Sequence, residues 1–255
     1  MRILLVRHGY SEGNRDDSRY HHDGDQKLHL TETGWLQAYH AGEFLKTLYE
    51  SDGIHEWPHI FVSPYARTRE TMSGILRGME GFRPDLPKHR EDGRLVEKFF
   101  GAASTLDYIE HEDISASLKK ALKTLFKKVF QNNPYATRGY FGDSQKDAEN
   151  NIKSFIDGTL DRDIKEGQND FLIITHGAII QSFLISWMHL NIDDRDKIQN
   201  PGNCDIIEIS GVSKNWGVRK IYNGEKMSST DERIIAHLKP LSVDDLPKFP
   251  EHLLK

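Results

Sequence analysis

The fold of this chain is decided by Ile3-Leu4-Leu5-Val6-Arg7-His8-Gly9, a short apolar run that ends in a histidine and a glycine. The same plan returns in Phe171-Leu172-Ile173-Ile174-Thr175-His176-Gly177. Apolar runs of this length, ended by a turn signal, are typical of buried strands. Open α/β sheets bind ligands at the edge where parallel strands end. The pattern therefore predicts that His8 and His176 lie together at such an edge.

A third segment follows the same plan and adds positive charge. Ile60-Phe61-Val62 leads into Ser63-Pro64-Tyr65-Ala66-Arg67, in which Ser63 is predicted as a helix N-cap and Pro64 as the first helical residue. Arg67 then falls in the first turn of a helix, and Arg7 precedes the first histidine. Guanidinium groups match phosphate oxygens in pairs, and helix N-termini attract anions. These residues together predict a phosphoryl group as the substrate.

Five blocks of this sequence, in order, resemble the histidine phosphatase superfamily, also called phosphoglycerate-mutase-like. The five stretches run from Arg7 to Asn14, from Leu30 to Ala38, from Ser63 to Thr71, from Leu95 to Gly101 and from Thr175 to Gly177. A single tripeptide such as Arg7-His8-Gly9 carries little information, whereas all five blocks in the family's order are specific. The resemblance covers most of residues 1–185.

The resemblance implies a role for each of seven residues. His8 is the implied nucleophile, and Glu97 is the implied proton donor to the leaving oxygen. The implied phosphate-binding residues are Arg7, Ser11, Asn14, Arg67 and His176. Residue chemistry agrees with these roles, because a neutral imidazole is a good nucleophile and arginines stabilise phosphoryl transfer by charge alone. We therefore expect neither a metal ion nor any other cofactor.

The implied fold is an α/β protein: a three-layer α/β/α sandwich with a mostly parallel central sheet, helices on both faces and a small helical cap. Residues 1–255 are predicted as a single domain, with the cap at about 105–142 and an extended tail at about 231–255. The apolar patterns predict strands at 2–7, 60–63, 170–175, 204–210 and 216–222. They predict helices at 32–49, 65–79 and 178–190, and another through Ile152, Phe155, Ile156 and Leu160.

The departures from the family pattern favour hydrolysis over transfer. Ala102-Ala103-Ser104 stands where many relatives carry a Trp-Glu-Gly-like segment, and the longer anion-gripping segment of the mutases is not visible. The predicted function is a phosphomonoester hydrolase of the metal-independent histidine acid phosphatase type, acting on a small phosphorylated metabolite through phosphohistidine. The alternatives are a phosphoglycerate mutase-type phosphotransferase and a non-catalytic phosphate-binding protein.

Several of the single residues have a second interpretation. His8 and His176 are also compatible with strand-end histidines that cap backbone groups, and Arg67 with a solvated helix arginine. The sequence constrains the proton donor least, because Glu91 and Asp92 lie close to Glu97 and are alternatives for this role. Leu95 and Gly101 place Glu97 in the family's context.

Two segments lie outside the five blocks. The insertion Asp16–Lys27 contains His21, His22, Asp23 and Asp25, which is the ligand set of a rival hypothesis, a metal-dependent hydrolase. The cap carries an apolar stripe beside many lysines: Ile114, Leu118, Ala121, Leu125 and Val129 form the stripe, and Lys119, Lys120, Lys123, Lys127 and Lys128 cover much of the rest. The cap is interpreted as a helix with a solvated face, with a substrate-attracting lid as the alternative.

Composition bounds the setting of the protein. A mean hydropathy of -0.63 and 29% charged residues predict a protein without a membrane span. The net charge of -5 gives no support for nucleic-acid binding, and one cysteine, Cys204, allows no internal disulfide. Met1 and Arg2 lead directly into the first predicted strand, so no signal peptide is predicted, and the expected location is the cytoplasm. The oligomeric state stays open, with a homodimer among the options.

Overall fold

The computed structural model describes residues 1–99, 115–133, 135–138, 142–191, 197–212 and 215–229. Within them, one sheet of seven strands has the order β3-β2-β4-β1-β5-β6-β7. The strands are β1 (Arg2–Arg7), β2 (His59–Val62), β3 (His89–Glu91), β4 (Asp170–Thr175), β5 (Ile206–Val212), β6 (Asn215–Asn223) and β7 (Ser228–Ser229).

The sheet has a parallel half and an antiparallel half. Strand β1 pairs in parallel with β4, β4 with β2, and β2 with β3. Strands β5, β6 and β7 add an antiparallel side next to β1. Arg7 lies opposite Thr175, and Val62 lies opposite Ile174, so β1, β4 and β2 end at the same edge. The loops that follow these three strands therefore meet.

Helices cover both faces of the sheet. The α-helices of the described residues are α1 (Glu12–Arg15), α2 (Glu32–Ser51), α3 (Ala66–Gly78), α4 (Ala116–Asn132), α5 (Gln145–Ser154), α6 (Asp161–Lys165) and α7 (Gly177–Trp187), with a π-helical turn at Phe155–Leu160 between α5 and α6. Leu4 and Val6 pack with α2 and α3 on one face, and Ile3 and Leu5 with α5 and α7 on the other. Side chains of a strand alternate between faces, so β1 supplies both cores. This arrangement confirms the predicted α/β/α fold, but the sheet is mixed and not mostly parallel, because three of the six strand pairings among the described residues are antiparallel.

The predicted elements correspond to observed ones, with small shifts at their ends. Strands β1 and β4 have the predicted bounds. The predicted hairpin is formed by β5, which ends at Val212, and β6, which begins at Asn215. One detail was wrong: α3 begins at Ala66 with Tyr65 as its N-cap, not at Pro64 after a Ser63 cap. The Ser63 hydroxyl instead lies 2.9 Å from Nε2 of His176.

The described part of the predicted cap is a helix, α4, that buries none of its residues. Leu118, Leu125 and Val129 of its apolar stripe are 48%, 53% and 47% exposed. The stripe is therefore helical, as predicted, but it does not face the core of the described residues. Ile114 and the tail at 231–255 lie outside the described residues. In the part of the chain that the structure describes, no helix is long and apolar enough to cross a membrane.

Candidate active site

The two histidines of the strand-His-Gly pattern meet at the carboxyl edge of the sheet. The backbone N–H of His8 donates to Thr175 O at 2.9 Å, which continues the pairing of β1 and β4 past their ends. The rings of His8 and His176 lie with their centroids 5.2 Å apart, and both side chains are buried. Strand pairing thus brings together two residues that are 168 positions apart in the chain.

The loop after β1 packs directly on the start of α2, and two glycines permit this. A Cβ atom on Gly9 would lie 2.5 Å from Gly34 O, and one on Gly34 would lie 2.2 Å from Tyr10 O. Thr31 caps α2 and donates its hydroxyl to Tyr10 O at 2.9 Å. These contacts give the second sequence block its physical role, which is to hold the loop that carries His8.

Arg67 connects the two histidines. Its side chain, in the first turn of α3, is 1% exposed. Its Nε donates to Nε2 of His8 at 3.2 Å, and its Nη2 donates to Nδ1 of His176 at 3.2 Å. A guanidinium group has no acceptor, so each of these histidine nitrogens carries a lone pair. The interpretation of Arg67 as a solvated helix residue is therefore wrong.

The other nitrogen of each ring fixes its tautomer. Nδ1 of His8 donates to Gly9 O at 2.8 Å, and Nε2 of His176 donates to the Ser63 hydroxyl at 2.9 Å. Burial lowers the pKa of both imidazoles well below the usual value, and the charge of Arg67 lowers them further. Both rings are therefore neutral near pH 7, and His8 presents the lone pair of Nε2 as a nucleophile.

Arg7 brings a second guanidinium to the edge of the sheet. Its Nη1 donates to Pro201 O at 2.7 Å, whereas its Nε is buried and has no hydrogen-bond partner among the described residues. A buried donor without a partner costs free energy unless a ligand satisfies it. The unpartnered N–H of Arg7 is thus suited to an anion.

Ser11 and Asn14 lie next to this edge and are hydrogen-bonded to each other. They form the capping box of α1, in which the Ser11 hydroxyl accepts from the Asn14 N–H. Oδ1 of Asn14 accepts from Ser11 N, the Ser11 hydroxyl and Nδ2 of Asn203, all within 3.1 Å. This leaves the Nδ2 group of Asn14 as the donor with which it would reach a phosphate, while Ser11 serves the cap. Asn203, which also donates to His8 O, belongs to no motif recognisable in the sequence.

Glu97 is the half-buried acid of this region. Its Oε1 accepts from the N–H of Lys98 at 2.9 Å. Burial raises the pKa of Glu97 above its usual value, although Arg67 and Arg7 act in the opposite direction. The preceding turn is tied to β4, because the hydroxyl of Thr175 donates to Leu95 O at 2.7 Å. A carboxyl group with a raised pKa beside two arginines is suited to donate a proton.

The two competing acids are engaged elsewhere. Glu91 is exposed and pairs with Arg69 at 2.5 Å. Asp92 pairs with Arg94, whose hydrogen bonds lower the pKa of Asp92 even though burial alone would raise it. Burial lowers the pKa of Arg7, and the charge of Glu97 opposes this. Of the three acids, Glu97 is thus the candidate whose charge acts on Arg7, while Gly101 of its block lies outside the described residues.

The rival metal site does not assemble from the side chains that the structure describes. Asp23 pairs with Arg19 at 2.7 Å, and Asp25 lies 2.8 Å from Nη1 of Arg67. The backbone of His21 and His22 is in a π-helical turn, and their side chains are not described. Among the described side chains, no group of three His, Cys, Asp or Glu residues is arranged to hold a metal ion. Two of the four proposed ligands are thus paired with arginines.

A cavity of about 730 Å³ lies far from this chemistry. It is lined by Met1, Asn169, Trp187 and Trp216 among others, at the edge where β1 and β4 begin. None of the seven residues implied by the family resemblance lines it. Lone pairs, charges and an unpartnered donor therefore identify the candidate site, and cavity size does not.

Two known proteins from Arabidopsis thaliana match most of this chain. Over 215 residues the chain is 34% identical to phosphoglycerate mutase-like protein AT74 of Arabidopsis thaliana, covering 80% of this chain and 63% of AT74. Over 217 residues it is 30% identical to AT74H of the same plant, covering 80% of this chain and 72% of AT74H. The chain thus spans less than two thirds of the length of AT74.

The fold is shared with solved structures. A mycobacterial glucosyl-3-phosphoglycerate phosphatase in complex with VO3 matches 86% of this chain and 96% of its own, with a TM-score of 0.60 and 18% identity. The family described as histidine phosphatase superfamily (branch 1) matches residues 3–224. This confirms the resemblance seen in the sequence blocks, and the chain belongs to the histidine phosphatase superfamily, branch 1.

Proposed function

We propose that this protein is a phosphomonoester hydrolase that works through a phosphohistidine at His8. The observation that carries the proposal is the shared contact of two buried, neutral imidazoles with Arg67. The lone pair of His8 Nε2 becomes a nucleophile once Arg67 donates to the phosphoryl oxygens instead, and the same buried guanidinium then stabilises the charge of the transferring phosphoryl group. The proposed substrate is a small phosphorylated metabolite.

In the first step, Nε2 of His8 attacks phosphorus and forms an N–P bond while the bond to the ester oxygen breaks. Glu97 gives its proton to the leaving oxygen, which departs as an alcohol. Arg67, Arg7 and Nδ2 of Asn14 donate to the phosphoryl oxygens. Nδ1 of His176 is an acceptor before the substrate binds. It therefore takes a proton from the phosphate monoanion and then holds the oxygen as a donor.

In the second step, water attacks phosphorus and Glu97 takes its proton. The N–P bond breaks, its electron pair returns to His8 Nε2, and His176 gives the proton that it took in the first step back to the departing phosphate, so that both rings are neutral again. The positive charges in this scheme come from arginines, so no metal ion is proposed.

A mutase-type phosphotransfer is the second candidate, because two relatives are named phosphoglycerate mutase-like proteins. In that reaction the phosphoryl group on His8 returns to a second hydroxyl instead of passing to water. Hydrolysis is the preferred proposal because the anion-gripping segment expected of a mutase is not visible in the sequence. Efficient interconversion of 2- and 3-phosphoglycerate by the purified protein would establish the mutase instead.

The test is to trap the covalent intermediate. The purified chain is mixed with a radiolabelled phosphate monoester and quenched rapidly in denaturant, and acid-labile, base-stable label is then counted. Wild-type protein and His89→Asn, a control at an exposed histidine on β3, are expected to carry label, and His8→Asn is expected to carry none. A chelator is expected to leave turnover unchanged. Label on His8→Asn, or activity that disappears with the chelator, contradicts the proposed mechanism.

A further inference from the structure

The insertion Asp16–Lys27 brings a second carboxylate into the site. It forms two short helical turns, and Gly24 between them has φ 85, a left-handed conformation that favours glycine. The chain on either side is anchored. Arg19 pairs with Glu12 at 2.7 Å, and Glu70 of α3 accepts from Leu30 N at 2.7 Å. These anchors place Asp25, the first residue of the second turn, beside α3.

The contact of Asp25 with Arg67 leaves one acceptor unsatisfied. Nη1 of Arg67 donates to the backbone carbonyl of Asp25 at 2.6 Å. Oδ1 of Asp25 lies 2.8 Å from the same nitrogen, yet this buried oxygen has no hydrogen-bond partner among the described residues. Nη1 donates to the carbonyl and forms an ion pair with Oδ1 without a well-directed hydrogen bond, so the carboxylate keeps lone pairs that can accept from a further donor. A group on the substrate is one source of such a donor.

The surroundings of Asp25 include two tyrosines and the implied proton donor. The centroids of the Tyr65 and Tyr20 rings lie 5.0 and 6.0 Å from Cζ of Arg67, the residue that pairs with Asp25. The charge of Asp25 acts on Glu97 and adds to the effect of burial in raising the pKa of that acid. Burial and the charge of Asp25 likewise raise the pKa of Tyr65 to about 12. Asp25 is thus near the proton donor and two phenols.

We propose that Asp25 is a specificity-determining residue: its carboxylate accepts a hydrogen bond from a hydroxyl or ammonium group on the alcohol part of the substrate and repels a carboxylate or second phosphate there. This inference rests on the proposed hydrolase function. A site with a buried acceptor discriminates against substrates that leave it unpaired, and like charges brought together are disfavoured. The favoured substrate class is a phosphate ester of a polyol, a sugar or an amino alcohol.

The experiment compares three matched three-carbon esters. Glycerol 3-phosphate offers hydroxyl groups, 3-phosphoglycerate replaces the terminal hydroxymethyl group by a carboxylate, and propyl phosphate offers no donor. We expect wild-type kcat/KM for glycerol 3-phosphate to exceed that of either other ester by at least about tenfold. In Asp25→Asn, which keeps an acceptor but removes the charge, the preference over 3-phosphoglycerate should fall by about tenfold. The preference over propyl phosphate should largely remain.

Asp25→Ala should lose both preferences. Asp23→Asn is the matched control, because Asp23 lies in the same insertion and pairs with Arg19 away from the site; its ratios should equal those of wild type. If Asp25→Asn lowers kcat/KM equally for all three esters, the proposal is overturned, and the role of Asp25 is limited to positioning Arg67. A wild-type enzyme without preference overturns it whatever the variants do.

The outcome also separates this inference from the function on which it rests. If no phosphohistidine forms on wild-type protein, the hydrolase proposal fails and the specificity proposal fails with it. If phosphohistidine forms from an aryl phosphate but glycerol 3-phosphate is not preferred, only the role of Asp25 is overturned.

Discussion

His8 and His176 have the same sequence plan, yet the structure gives them different chemistry. Each follows a buried strand, precedes a glycine and directs one lone pair at Arg67. His8 does so through Nε2 because its Nδ1 is bonded to the carbonyl of the next residue, Gly9. His176 does so through Nδ1 because its Nε2 is bonded to Ser63, which follows the neighbouring strand β2. The partner of the far nitrogen, and not the motif, decides which nitrogen faces the site.

This difference assigns the two roles. The hydrogen bond of His8 Nδ1 is to its own loop, so the lone pair of Nε2 faces the site, where Arg67 donates to it until a substrate binds. The hydrogen bond from His176 Nε2 to Ser63 connects its ring to the end of β2. This contact holds the ring in one orientation, beside the proposed position of the phosphoryl group. His8 therefore suits bond formation and His176 suits binding, and the following predictions test that division.

The largest expected effect separates the two histidines directly. His8→Asn should lower kcat/KM by about 10⁴-fold or more, because removing a nucleophile removes the covalent route. His176→Asn should lower it by about 10²–10³-fold, the usual loss for one transition-state hydrogen bond. The two variants are compared by steady-state kinetics and by phosphohistidine trapping, in which His176→Asn should still take up label. Equal losses, with neither variant labelled, contradict the division of roles.

The leaving group distinguishes Glu97 from both histidines. Glu97→Gln should lose about 10²–10⁴-fold on an alkyl phosphate, which needs a proton on its leaving oxygen. It should lose far less on a nitrophenyl phosphate, whereas His8→Asn should lose activity on both. Glu91→Gln, at the exposed acid paired with Arg69, is the control and should behave as wild type. If Glu91→Gln or Asp92→Asn instead loses activity on the alkyl phosphate and keeps it on the nitrophenyl phosphate, that residue is the proton donor.

Although they differ in role, the two histidines should act alike on stability. Burial lowers the pKa of each in the folded protein, so the unfolded chain binds more protons once the pH falls below about 6.5. Each buried histidine should therefore lower the free energy of unfolding by up to about 1.4 kcal/mol for every pH unit below that value. Stability is measured by urea unfolding between neutral and mildly acidic pH.

His8→Asn and His176→Asn should each make this pH dependence shallower by a similar amount. His89→Asn, at an exposed histidine, should not change it. A slope that only one of the two buried histidines alters would show that the other is protonated in the folded state.

The smallest expected effect concerns Ser63. Ser63→Ala removes the acceptor that fixes the tautomer of His176, and a typical hydrogen bond contributes about 1 kcal/mol, so kcat/KM should fall about fivefold. Trapping on His8 should persist. Ser73→Ala, which removes an exposed hydroxyl bonded to Arg69 O, is the matched control. A loss as large as that of His176→Asn means that Ser63 holds the whole ring in place.

Local sequence determined the strands and the edge on which the site is built. The apolar runs before His8 and His176 are short and end in turn residues, and they became β1 and β4 with the predicted bounds. The helical periodicity likewise predicted α2, α3 and α7, with bounds within three residues of the observed ones. Such patterns are readable because strand and helix periods are properties of neighbouring residues.

Other features depend on residues far apart in the chain, so only the tertiary structure decided them. Ser63 reads as a helix cap in the sequence, but β2 places its hydroxyl on His176. Asp25 is a candidate metal ligand in the sequence, but the insertion folds back and places its carboxylate beside Arg67. Asn203 supports His8 and Asn14 from a turn that no motif marks. Tautomers, ion-pair partners and the orientation of donors follow from packing, which brings together groups that no local pattern connects.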